Sequence, residues 1–183
     1  LYTSNWIEKI FWSDYDKIIV SEEKRITILN PNTQEKRQIN LDDHFSVHDA
    51  NRGKLIGSDG KSTFVYDINN GRKQTIVDFV APNTKFSPNG SKLAIHKGES
   101  KTHKNYVYLV NMPPNNVQNI FDIEYGIVTL KWSRNSQKLY AHVEFEKINM
   151  LYVFDAAQGR IENKIDVRKL AKDHDIVFLD PDN

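Results

Sequence analysis

With 25 Lys and Arg against 24 Asp and Glu in 183 residues, the chain has no charge excess with which to hold a phosphate backbone. The absence of cysteine excludes disulfides, thiolate metal sites and cysteine nucleophiles. The longest apolar runs, such as Leu151-Tyr152-Val153-Phe154, fall far short of the ~20 residues that cross a bilayer as a helix.

In chain order, the first predicted strands fall at 7–12, 17–20, 26–30 and 36–41. The next four are at 45–48, 54–56, 63–67 and 73–79, followed by 84–86, 92–95, 106–111 and 117–121. A last group occupies 128–132, 138–143, 151–155 and 161–167. Aromatic and β-branched residues dominate these runs, as strands require. Residues 166–173 are the only stretch with helical character, and 176–183 again reads as a first strand running into a turn. The segment 175–183 is therefore expected to begin a fifth group, and the chain, which starts at Leu1 without a signal-peptide pattern, is read as a processed or excised piece.

Three anchors align the groups. A Lys opens each second strand at Lys17, Lys54, Lys92 and Lys138, and an Asn or Asp closes each third strand at Asn30, Asp67, Asn111 and Asp155. An Ile recurs in the fourth strands at Ile39, Ile76, Ile120 and Ile165. The third-strand anchors lie 37, 44 and 44 residues apart, the size of one four-stranded propeller blade. Such a sheet cannot bury its faces alone, but stacking lets neighbouring sheets cover one another. The expectation is an all-β chain of β-propeller blades, four four-stranded antiparallel repeats at 7–41, 45–79, 84–121 and 128–167, forming a single segment over 1–183 of a larger propeller.

The turn Phe86-Ser87-Pro88-Asn89-Gly90, followed by Lys92-Leu93-Ala94, carries a family signal. It resembles the repeat of TolB-like and related WD-like β-propellers, where Phe-Ser-Pro-Asp-Gly joins the first and second strands of a blade. Looser copies stand at Trp132-Ser133-Arg134-Asn135-Ser136 and Trp12-Ser13-Asp14-Tyr15-Asp16. The resemblance implies a protein-binding platform, a small-molecule or sugar receptor, or the gating propeller of a prolyl oligopeptidase-like hydrolase. It also leans towards the bacterial envelope or exterior.

Candidate chemistry is sparse. Gly57-Ser58-Asp59-Gly60-Lys61-Ser62 ends like a phosphate-binding loop, but Leu55 stands where the first Gly is required and a strand follows, so it reads as a hairpin turn. His44 and His48 on a strand would sit roughly 13 Å apart, too far for one ion. No Gly-x-Ser-x-Gly elbow exists. The recurring aromatics Trp12, Phe86, Trp132 and Phe178 read as packing between blades. No catalytic residue, metal site, cofactor or nucleic-acid partner is expected.

What remains is a loop face. The loops leading into first strands and those joining second to third strands bring forward Asp42, Asp43 and His44, then Asp122, Glu124 and Tyr125, with 97–104 and 144–147 beside them. The reading is a non-catalytic scaffold that binds a protein or cell-envelope partner there.

Overall fold

The structure, a computed structural model, describes residues 7–13, 17–22, 25–40, 45–99, 101–113, 116–124 and 126–170. Among the described residues, sixteen strands form four separate four-stranded antiparallel sheets, each in sequence order. The first comprises β1 (Ile7–Ser13), β2 (Lys17–Glu22), β3 (Arg25–Leu29) and β4 (Lys36–Asn40). The second holds β5 (Ser46–Asn51), β6 (Lys54–Ser58), β7 (Thr63–Asp67) and β8 (Lys73–Val77). In the third are β9 (Asn83–Phe86), β10 (Lys92–Glu99), β11 (Lys104–Asn111) and β12 (Val117–Glu124). The fourth contains β13 (Ile127–Trp132), β14 (Lys138–Phe145), β15 (Ile148–Asp155) and β16 (Arg160–Asp166), followed by the helix α1 (Val167–Leu170).

The expected all-β repeat is borne out, and the anchors acquire a physical role. Each repeat Lys is the first residue of its second strand, and Lys54, Lys92 and Lys138 stand directly across from Asp67, Asn111 and Asp155. Cross-strand neighbours share a face, so a cation and a polar acceptor fix the hairpin register at its end. Lys92 Nζ donates to Asn111 Oδ1.

The same Asn or Asp then caps the next turn. Asn30 Oδ1 accepts from the Asn32 and Thr33 amides, and Asp155 Oδ1 from those of Ala157 and Gln158. Asp67 Oδ1 accepts from the Asn69 amide. Four residues after three of the anchors, an amide returns to the anchor's own carbonyl: Gln34 to Asn30, Gly71 to Asp67 and Gly159 to Asp155. That residue has φ of 59°, 72° and 64° respectively, so the first sheet places Gln where the other two use Gly. A side chain in this left-handed region costs roughly 1 kcal/mol. Gln34→Gly is therefore expected to raise the urea midpoint, stabilising by about 0.5–1 kcal/mol, while Gly71→Ala lowers it.

The Ser-Pro-Asn-Gly turn and its looser copy share one hydrogen-bond pattern. The buried Ser87 and Ser133 hydroxyls accept from the Lys92 and Lys138 amides at 2.9 Å. Ser136, at φ 63°, takes the place of Gly90 at φ 70°.

Contacts divide the chain into two compact units, Leu1–Pro82 and Asn83–Asn183. Within each unit the earlier sheet turns one face, here called trailing, towards the leading face of the next sheet. In the first unit Ile19, Ile26 and Ile28 meet Val47, Leu55 and Phe64, and Phe45 and Phe64 pack with ring centroids 5.0 Å apart. In the second unit Ala94, Val107 and Leu109 meet Val128, Leu130, Trp132, Leu139 and Phe154.

Three expectations need correction. β10, β11, β12, β14 and β15 run beyond their predicted ends, because charged side chains on the solvent side do not interrupt backbone pairing. Segments read as loops at 97–99, 122–124 and 144–145 are thus strand ends. The helix starts at Val167 rather than at 166, which ends β16, and is described over Val167–Leu170, while 171–173 lie outside the described residues. The apolar run Leu151-Tyr152-Val153-Phe154 reads in the sequence as a strand buried on both faces, but Leu151 and Val153 are half-buried. The predicted start of a further repeat at 175–183 and the turn at 14–16 lie outside the described residues.

Candidate binding face

Two of the predicted surface residues fall in described structure, at the exposed end of β12. Asp122 pairs with Tyr106 and Glu124 with Lys104 across β11, which in turn oppose Lys97 and Glu99 of β10. Directly opposed residues project to one side of a sheet, so the third sheet ends in two rows, Lys97–Tyr106–Asp122 and Glu99–Lys104–Glu124. Lys97 Nζ lies 5.8 Å from the Tyr106 ring centroid, and Tyr106 and Tyr108 have centroids 6.3 Å apart. Burial, reinforced by Tyr106 and Glu99, pushes the Tyr108 hydroxyl above its ordinary value. Asp122 and Glu124 are exposed, so the rows present an aromatic ring among charges of both signs. Asp42, Asp43, His44 and Tyr125 lie outside the described residues.

Behind this surface, on the other side of β11, Asn105 is buried and forms a brace that sequence reasoning missed. Its Oδ1 is 2.9 Å from His96 Nε2 and its Nδ2 donates to the Gly126 carbonyl at 3.0 Å. Burial holds the His96 imidazole below its usual range, and the bond to Asn105 offsets part of that shift. Gly126 itself has φ 110°, and a Cβ there would sit 2.9 Å from Val143 Cγ1. The chain can leave β12 and start β13 in this way only with glycine. The brace recurs in the fourth sheet, where His142 Nε2 lies 2.7 Å from Asn149 Oδ1.

A legible signal existed. Ser21, Ser58, His96 and His142 each stand four residues after a repeat Lys, a polar position shared by all four second strands. In the second sheet it meets His48, whose Nε2 is 2.9 Å from Ser58 Oγ. His48 is thereby a buried structural residue of the first unit.

The phosphate-loop lookalike is a hairpin turn, as expected. Asp59 Oδ1 accepts from the Lys61 and Ser62 amides, Oδ2 from Lys73 Nζ, and Gly60 has φ 83°. The Lys73 ammonium, then the Ser62 amide, hold the Asp59 carboxyl well below the usual carboxylate range. The Asp59 carboxylate and the Ser62 hydroxyl are thus engaged in closing the turn. Among the described residues, no three His, Asp or Glu side chains converge as metal ligands.

No known sequence family matches the chain, and no curated protein matches it. Its likeness is to solved structures. Tricorn protease superposes with a TM-score of 0.68 at 13% identity, over 86% of this chain and 16% of that one. TolB from Acinetobacter baumannii gives 0.63 at 13% identity, over 84% of this chain and 42% of TolB. The β-propeller domain of the Trilobed protease from Pyrococcus furiosus gives 0.50 at 12% identity, over 87% and 44%. The chain thus spans less than half the length of each. Four four-stranded antiparallel sheets in sequence order, with these neighbours, define the class: the fold is that of β-propeller blades.

Proposed function

We propose that the chain is a non-catalytic, TolB-like propeller module that binds a protein or cell-envelope partner through the loop end of its third sheet. The observation that carries this reading is the pair of cross-strand rows ending at Asp122 and Glu124. They combine Tyr106 with charges of both signs on a strand end that the Asn105–Gly126 bond holds in place. Tyrosine offers large contact area at small entropic cost, and rigid support keeps that area ordered before binding. Mixed charge supplies orientation rather than bulk attraction.

The test is site-specific photo-crosslinking from position 124 in the organism's own extract, followed by affinity measurement on each captured protein. The triple substitution Lys104→Ala, Asp122→Ala, Glu124→Ala is expected to weaken binding by about tenfold or more, with the melting temperature nearly unchanged. Equal affinity of the triple variant for every captured partner would sink the assignment of this face. The hydrolase-gating alternative predicts instead that the crosslinked partner is a catalytic domain bearing a serine elbow.

A further inference from the structure

Sheets of one plan can be compared position by position, and one position in the first sheet departs from the rest. In the other three, the fourth strand sets a neutral amide across from the residue two before the third-strand anchor. Gln74 pairs with Val65, Gln118 with Leu109 and Asn163 with Val153. The first sheet sets Arg37 there, across from Ile28. In the second unit this amide packs into the seam between sheets. A Cβ on Gly159 would lie 3.0 Å from both the Nε2 and Oε1 of Gln118. At Gly71, the matching glycine of the first unit, a Cβ would meet only the Tyr66 hydroxyl, at 3.6 Å.

At this end of the first unit's seam lies a cavity of about 450 Å³, lined by Lys17, Lys36, Arg37 and Glu35 over the buried side chains of Ile28 and Ile68. Its walls are tied by bonds of their own. The Asn30 amide donates to the Glu35 carbonyl, and the Ile68 amide to the Gly53 carbonyl, each at 3.0 Å. Lys92 and Lys138 direct their ammonium groups to Asn111 and Glu162 within their own sheets. Lys17, their counterpart, lines the cavity. All three cations stand on β2 and β4 of the first sheet, whereas the second sheet contributes Ile68 and Asn69. Positive charge is thus gathered on one wall.

We propose that this cavity binds a small organic phosphate, a phosphate monoester with a short apolar body. Three cations against the Glu35 carboxylate leave two positive charges, which match a monoester that is largely dianionic near neutral pH. One charged wall suits a single compact head group, whereas a dicarboxylate would need cations at two ends. The Arg37 guanidinium offers a fork for two phosphate oxygens, and the lysines add mobile point charges. Ile28 and Ile68 receive the apolar body, and the volume lies within the roughly 300–1,000 Å³ of small-molecule sites.

Titration of the 183-residue chain with phenyl phosphate, followed by amide proton–nitrogen correlation spectra near neutral pH, tests it. Saturable shifts centred on Lys17, Ile28, Arg37 and Ile68 are expected, with a Kd of about 1 mM or below. Inorganic phosphate, which lacks the apolar body, is expected to bind several-fold more weakly, and uncharged benzyl alcohol not to saturate by about 10 mM. Arg37→Gln restores the amide that the other sheets carry and is expected to weaken phenyl phosphate about tenfold, with circular dichroism unchanged. Lys17→Gln gives the same loss through a different strand, which keeps the test open should one variant fail to fold. Lys169→Gln, in the second unit, removes an equal charge and is expected to leave the affinity unchanged. The proposal is overturned if phenyl phosphate does not saturate by about 10 mM, or if its shifts spread over lysines elsewhere. Wild-type affinity in folded Arg37→Gln and Lys17→Gln overturns it equally.

Discussion

Arg25→Ala is expected to destabilise the chain at neutral pH by about 3–5 kcal/mol, because it leaves a buried carboxylate without its partner. Glu22 ends β2 at 1% exposure, and its Oε2 accepts from Arg25 Nε at 2.5 Å. The Arg25 hydrogen bond holds the Glu22 carboxyl below the usual carboxylate range, against burial, which acts upward. With the folded value below the unfolded one, the pair's contribution is present at neutral pH and is lost as pH falls through the lowered value. In the variant only burial remains, so the folded value moves above the unfolded one. The sign then reverses: relative to wild type, the variant regains stability as pH falls from neutral towards the carboxylate range. Urea titrations at several pH values read both effects. A loss under about 1 kcal/mol, with an unchanged pH profile, would mean that Glu22 is hydrated rather than paired. Replacing both partners with apolar residues of similar size is expected to cost far less than removing Arg25 alone.

Trp132→Ala carries the other large effect, about 3–5 kcal/mol, and a comparison within the same chain sharpens it. The indole fills the seam of the second unit at 7% exposure, so truncation leaves a void that the two sheets cannot close without moving. It also strands the Lys85 carbonyl, the acceptor of the indole N–H. Trp132→Phe keeps most of the packing, and the lost hydrogen bond is expected to cost about 1–2 kcal/mol. Trp12→Ala removes the same side chain from the same repeat position, but at 64% exposure. At that exposure it is expected to cost under about 1 kcal/mol. Circular dichroism in urea suits these comparisons, because it does not rely on the fluorophores being changed. Similar losses at the two positions would mean that Trp12 is as well covered as Trp132.

The repeat anchors illustrate what a linear chain can disclose. Lys17, Lys54, Lys92 and Lys138 mark the starts of β2, β6, β10 and β14, and the last three each stand across from a polar residue at the end of the hairpin. The closing Asn or Asp is equally visible, since it must cap the turn that follows. Asp122 and Glu124 read in the sequence as a surface pair in a loop, whereas they end β12. Alternating charged residues look like a loop in composition, whereas backbone pairing is indifferent to what an exposed side chain carries. The Asn105 brace escaped notice because its partners, His96 and Gly126, are distant in sequence and meet only across a hairpin and a connection between sheets.

Local chemistry alone determined the strand class, the four repeats, their turns and the residues that cap them, because those features depend on neighbours a few positions away and on a two-residue side-chain period. Tertiary structure decided which aromatic is core and which is surface. Trp12 and Trp132 follow one sequence pattern, and only the presence of a sheet on the facing side separates a buried ring from an exposed one. It also decided which polar residues are braces and which are free to meet a partner, since that depends on what the chain brings alongside from far away.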